Sequence, residues 1–283
     1  MIITELSKQG KITPPKWLIN NLHYLVKMGS HAYGTNTEKS DFDFYGVCIP
    51  PKDMIFPHLS GYIEGFGTKP PRFDVYSELS EPYDFQIFSI VKFFDLCKDN
   101  NPNILDALFV PLDCVVYQTQ IGVFMRENRG LFVSRRCWHT FTGYAYSQLK
   151  SLKNAKEDSK RAEVIAKYGY DLKAASHLFR LMFECIQLLE TGTMDLRKEA
   201  EFLRQVRGGE FVYDKILEKF QALESVAENA FLRTELPERA NEQVILGLLH
   251  SLIDIHYKGI SSYRREDKII GDIVKILQDG GYM

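Results

Sequence analysis

An α/β domain followed by an α-helical C-terminal domain is the fold class this sequence predicts, on three observations. Segments rich in aromatic and β-branched residues cluster within the first 120 residues. From about Glu127 the pattern changes to apolar residues at three- and four-residue spacing. The 283 residues suffice for one large domain or two modest ones, and no internal repeat or low-complexity tract points elsewhere. The boundary is drawn at 125, giving residues 1–125 and 126–283, although no Pro/Gly/Ser linker marks it.

The elements follow in order. Thr13-Pro14-Pro15 has the form of a helix start, with Thr13 as cap and Pro14 at the first helical position, so a short helix is expected through Leu22. An apolar strand over 24–28 is closed by Gly29-Ser30. Further strands are expected over 42–49, 73–79 and 83–88. Residues 90–97 have helical spacing and stop near Asn100-Asn101-Pro102, where Asn101 and Asn103 read as helix caps. In the second half the clearest helix covers 171–190. Leu172, Ala175, Phe179, Met182, Ile186 and Leu189 form its apolar stripe, opposite a polar face of Lys173, His177, Arg180, Glu184 and Gln187. A last helix is expected over 239–256.

Composition bounds the function. Hydrophobic residues make up 45% and charged residues 25%, ordinary for a soluble globular protein. No apolar run approaches the roughly 20 residues of a membrane-spanning helix, and Met1-Ile2-Ile3-Thr4-Glu5 has no basic stretch leading into an apolar core, so neither membrane nor secretory leader is expected. Cys48, Cys97, Cys114, Cys137 and Cys185 are odd in number and lack zinc-site spacing, which predicts reduced, buried thiols and a cytoplasmic location. The net charge is −2, but between Arg126 and Arg180 twelve Lys/Arg face five Asp/Glu, a local +7. Such a segment contacts phosphates or is a solvated helix face, and charge alone does not choose. Lys150, Lys153, Lys156 and Lys160 read as a solvent-exposed row.

The chemistry concentrates in Lys27-Met28-Gly29-Ser30-His31-Ala32-Tyr33-Gly34-Thr35, continued by Ser40-Asp41-Phe42-Asp43-Phe44-Tyr45-Gly46-Val47. A glycine lets backbone approach a bulky anion, and a serine hydroxyl can donate to a phosphate oxygen. Strand period two puts Asp41 and Asp43 on one face and Phe42 on the other. Two carboxylates so close favour a cation between them, and hard divalent ions take oxygen ligands together with substrate phosphates. Each half alone could be a polar hairpin; the order and the ten-residue spacing between Ser30 and Asp41 together point to phosphoryl transfer.

Gly-Ser, a spacer of this length and Asp-x-Asp on a strand resemble the DNA polymerase beta nucleotidyltransferase superfamily. The longer form, with Gly34-Thr35 and Gly46-Val47, is similar to the RNA repair pathway DNA polymerase beta family. Asn101-Pro102-Asn103-Ile104-Leu105 and the stretch from Gly169-Tyr170-Asp171-Leu172-Lys173 to Ser176-His177-Leu178-Phe179-Arg180 resemble it too. The likeness touches scattered segments from about 25 to 210.

That resemblance implies a nucleotidyltransferase-type mixed sheet flanked by helices in residues 1–125, binding a nucleoside triphosphate and two Mg²⁺ ions. It implies that Asp41 and Asp43 hold the metals, with a third carboxylate on a later strand; Asp84 is the candidate and Asp74 its rival. Gly29 and Ser30 would hold outer phosphates, with Lys173 and Arg180 as further nucleotide- or phosphate-binding groups. His31 either touches the triphosphate or, as a polar residue in a glycine loop, has no role. The reaction implied is transfer of a nucleoside monophosphate to a hydroxyl with release of pyrophosphate, the acceptor being an RNA 3′ end such as a damaged transfer RNA. The alternatives are AMP transfer to a protein, as in some toxin–antitoxin relatives, and an inactive fold that only binds nucleotide or RNA.

Overall fold

The computed structural model describes residues 1–55, 75–154 and 159–257. Its elements are α1 (Ile2–Lys8), β1 (Leu22–Lys27), α2 (Gly29–Ala32), β2 (Phe42–Cys48), α3 (Lys52–Ile55), β3 (Val75–Ser80), β4 (Tyr83–Ser89), α4 (Ile90–Lys98), α5 (Pro102–Phe109) and β5 (Val115–Gln118). Then follow α6 (Gln120–Glu127), α7 (Arg136–Ser151), α8 (Lys160–Tyr168), α9 (Leu172–Thr191), α10 (Ala200–Gly208), α11 (Tyr213–Arg233) and α12 (Glu242–His256). The strands form one sheet in the order β3-β4-β2-β1-β5. The β2–β4 pair is parallel and the other pairs are antiparallel, so the sheet is mixed, as expected.

Period two sorts the strand residues onto two faces. Leu25, Phe44, Phe85 and Ile87 meet Ile3, Leu6, Ile12 and Leu18 of the N-terminal segment in one core layer. Tyr24, Val26, Val47 and Phe88 face the helices, packing in one core with Phe93, Leu105, Phe141 and Phe179. Among the described residues every strand precedes 125, yet this second core runs across that position without a break. Helix α9 is the spine of the helical part and packs against α7, α10 and α11. Its ends are set locally: the Asp171 carboxylate accepts from the Ala174 N–H at 2.9 Å, and Gly192 takes the left-handed conformation that closes it.

Several sequence expectations shift. No α-helix follows Thr13: its N–H and hydroxyl bond to the Glu78 carboxylate on β3, and only a 3-10 turn, Ile19–Asn21, forms before β1. Helix α1 and the four-residue β5 were not expected. Asn101 stands at the N-cap of α5, but its side chain makes no capping bond and instead donates to the Tyr144 hydroxyl at 3.1 Å. Helix α12 starts after Asn241, whose side chain caps it, and not at 239. The lysine row is broken, because α7 ends at Ser151 and α8 begins at Lys160; Lys156 lies outside the described residues, as do Phe73 and Asp74. All five cysteines are free and buried. No helix among the described residues is long and apolar enough to cross a membrane.

Candidate active site

The site is assembled from the loop after β1, the first residues of β2 and β4, and the N-terminal half of α9. As β1 ends, the Met28 N–H donates to the Asp43 carbonyl at 2.7 Å, and the chain turns into α2. Gly29 has φ +59, a left-handed conformation that side chains resist. A Cβ there would also overlap the Asp43 carboxylate, meeting its Cγ at 3.0 Å. The glycine is therefore demanded by the aspartate lying on it. Outside, Arg197 donates to the His31 carbonyl at 2.9 Å and Arg204 to that of Gly34 at 3.0 Å, pinning the loop to the helical part.

The parallel register of β2 and β4 pairs Asp43 with Asp84, between Phe42–Tyr83 and Phe44–Phe85. Register partners on adjacent strands share a face and stand roughly 5 Å apart. Asp43 and Asp84 thus point side by side toward the helices. Phe42, Tyr83, Phe44 and Phe85 stack on the opposite face, with Phe44 and Phe85 centroids 4.9 Å apart. Asp41 is exposed, two residues ahead of Asp43. Burial raises the Asp43 carboxyl above its ordinary range; the charge of Asp84 adds to this, Lys173 opposes it, and Asp41 adds again. The group is a poor place for bare negative charge and a good one for a cation. Among the described residues, no three His, Cys, Asp or Glu side chains form a ready-made metal cage. What is present is an all-oxygen set, Asp43 and Asp84 in register with Asp41 beside them, whose chemistry fits a hard divalent ion that keeps water and phosphate ligands.

His31 stacks on Phe42 with ring centroids 4.8 Å apart, and its buried Nε2 has no hydrogen-bond partner among the described residues. Burial, then the Lys27 charge, lowers its pKa.

Helix α9 supplies the remaining groups, and its polar face, expected to meet either solvent or phosphate, is in part buried. Lys173 is exposed and its charge acts on Asp43. Arg180, however, is only 6% exposed and Glu184 only 2%. Helix α5 brings the fully buried Asp106 against Arg180 in an ion pair, and Glu184 lies 3.1 Å from the same guanidinium nitrogen. The guanidinium also donates to the Tyr33 hydroxyl at 2.8 Å, contacts His177 Nε2 and stacks 4.2 Å over the Tyr33 ring. With its donors engaged below the surface, Arg180 cannot lie against a nucleic-acid backbone. Burial drives Glu184 well above the usual carboxylate range despite Arg180. A trio of one guanidinium and two carboxylates is cheaper to bury when one carboxylate keeps its proton. Tyr33 and Asp106 escaped the sequence reading. The available signal was a lone aspartate in the otherwise apolar Ile104-Leu105-Asp106-Ala107-Leu108.

Tyr45, two residues past Asp43 on the same face, ties the layers together. Its pKa is raised by burial and then by the charges of Asp43, Asp106 and Asp84. The acidic pair and the buried trio thus lie close to one another, on the side of the sheet that faces the helices. A recess of about 570 Å³ sits at the far end of α9, lined by Leu189, Glu190, Val226, Arg233 and Glu235 among others.

Residues 6–237 match the family model described as the RNA repair pathway DNA polymerase beta family. Among curated proteins, the chain is 30% identical over 122 residues to an uncharacterized 38.9 kDa protein in the nrdC–mobD intergenic region of Enterobacteria phage T4. That stretch is 42% of this chain and 35% of the phage protein, so the chain spans about a third of the length of the relative it matches. Among solved structures, a nucleotidyltransferase-like protein from Exiguobacterium sibiricum 255-15 is similar over 81% of this chain and 73% of that one. At 6% identity and a TM-score of 0.27, that likeness carries no weight here.

Proposed function

Because the chain belongs to the RNA repair pathway DNA polymerase beta family, we propose that it is a Mg²⁺-dependent nucleotidyltransferase acting on an RNA 3′ hydroxyl. The observation that carries this reading is the in-register pair Asp43–Asp84 beside Gly29, with the Lys173 charge acting on Asp43. Asp41, Asp43 and Asp84 would hold the divalent ions, whose contribution when bound is to neutralise the triphosphate and lower the pKa of the attacking hydroxyl.

The remaining work falls to this chain's own groups. The space at Gly29 is taken by the Asp43 carboxylate, and the Ser30 hydroxyl beside it donates to an outer phosphate. Lys173 is the exposed cation on α9, compensating charge on the triphosphate. The acceptor oxygen bonds to the α-phosphorus as the bond to the bridging oxygen breaks; pyrophosphate leaves and the hydroxyl proton passes to solvent. No covalent enzyme intermediate is needed, only positioning. The RNA acceptor is supported by the family's description and by Lys150, Lys153, Lys167 and Lys173, exposed cations of the basic middle segment.

The test is incubation with each labelled ribonucleoside triphosphate, Mg²⁺, and either total RNA or total protein. Label is expected on RNA 3′ ends, with Asp43→Asn and Asp84→Asn reducing transfer roughly a thousandfold or more. Label on protein instead would replace RNA by a protein side chain as acceptor. Near-normal transfer by Asp43→Asn would remove the site.

A further inference from the structure

Three residues of α9 share one narrow arc on the side of the acidic pair: Lys173, His177 and Arg180, at steps of four and three. Lys173 acts on Asp43, and Arg180 bonds Tyr33 and acts on Tyr45. His177 lies between them on the same arc.

The state of its ring follows from its neighbour. Arg180 has only donors to offer, so its contact with His177 makes Nε2 the acceptor. An accepting Nε2 requires the ring proton on Nδ1. Burial, with Arg180 and Lys173 adding to it, pushes the imidazole down to about 3, so the ring stays neutral across the working range of most enzymes. Among the described residues Nδ1 has no hydrogen-bond partner, and His177 as a whole is only partly buried. Asp106 and Glu184 hold Arg180, and Arg180 holds the ring. The result is a neutral donor of fixed direction with no partner among the described residues.

We propose that the Nδ1–H of His177 donates a hydrogen bond to an oxygen of the nucleoside triphosphate bound at this site. The proposal rests on the nucleotidyltransferase reading above. It assigns His177 to substrate binding and excludes it as general base, since its one lone pair is already taken by Arg180.

Three variants separate this from a structural role. His177→Asn restores an N–H donor near the position of Nδ1 but leaves Arg180 without an acceptor. His177→Gln can accept from Arg180 near the position of Nε2 but offers nothing at Nδ1. His177→Ala removes both. Affinity for each of the four ribonucleoside triphosphates with Mg²⁺ is measured by titration calorimetry, beside the urea midpoint. Loss of one neutral hydrogen bond predicts roughly threefold to tenfold weaker binding for His177→Ala and His177→Gln. His177→Asn should recover most of that loss, while the urea midpoint follows the opposite order. In long-range ¹H–¹⁵N spectra the wild-type ring should show Nδ1 protonated, and that signal should move when the tightest-binding triphosphate is added. Inorganic tripolyphosphate as a second ligand tells whether the accepting oxygen is on phosphate or on the nucleoside. Recovery by Gln and not Asn, or an unmoved Nδ1–H signal in a protein that binds a triphosphate, would overturn the proposal alone. A wild type that binds none of the four would overturn it together with the reading beneath it.

Discussion

Replacing Gly29 by alanine tests the closest packing in the site. Two costs add. Holding an L-residue in the left-handed region costs about 1–2 kcal/mol. The new Cβ also overlaps the Asp43 carboxylate, with Cγ at 3.0 Å, and relieving such overpacking costs about 1–3 kcal/mol more. In an Asp43→Ala background the carboxylate is gone and the nearest Asp43 atom is Cβ at 3.5 Å, an ordinary contact. Only the backbone strain should then remain. The four proteins of this cycle, unfolded in urea, should show a coupling of about 1–3 kcal/mol between the two positions. Transfer activity of Gly29→Ala alone should fall with the displaced carboxylate. If Gly29→Ala costs the same in both backgrounds, Asp43 does not lie on Gly29 and the account of the loop is wrong.

Other perturbations follow from the same geometry. His23, 8% exposed, bonds Thr119 and His256 at 2.9 Å each, and burial followed by His256 lowers it to about 4. The unfolded chain then binds a proton near its ordinary pKa of 6.5 that the native state refuses, so stability falls from about pH 6.5 to about 4. That loss is on the order of 2 kcal/mol after allowing for solvent access, and His23→Gln should flatten this limb of the urea-midpoint profile. Arg180→Met strands Asp106 and Glu184 and should cost about 3–5 kcal/mol in urea, partly recovered by adding Asp106→Asn and Glu184→Gln; an unrecovered loss would mean the ion pairs are not its cause. Lys173→Glu, on an exposed position, should leave stability within about 0.5 kcal/mol yet weaken triphosphate binding severalfold in a salt-dependent way. Unchanged affinity would take Lys173 out of the site.

The parts of the site that were legible in the sequence are those encoded by local period. Asp41-Phe42-Asp43 and Tyr83-Asp84-Phe85 announce strands with one acidic and one aromatic face. That Asp84 comes to stand beside Asp43 is not local, because the register of two parallel strands roughly forty residues apart is fixed by packing on both faces. Helical spacing likewise showed that Lys173, His177 and Arg180 share a face, but not what covers it. Asp106 and Tyr33, from α5 and the loop after α2, convert that face from solvated to buried. Helix α1 was missed because seven residues nucleate poorly alone and hold together by packing Ile3 and Leu6 under the sheet. Thr13 misled for a different reason: a threonine before two prolines is a good cap, but the Glu78 carboxylate competes for the same groups.

The ladder between β2 and β4 also makes the acidic site a matter of parity. Because side chains alternate, slipping β4 by one residue would set Phe85 beside Asp43 and turn Asp84 into the aromatic layer. One residue gained or lost inside the paired segment would therefore take Asp84 out of the acidic pair at a stroke. Descendants of this sequence that keep the pair are held, residue for residue, along seven paired positions.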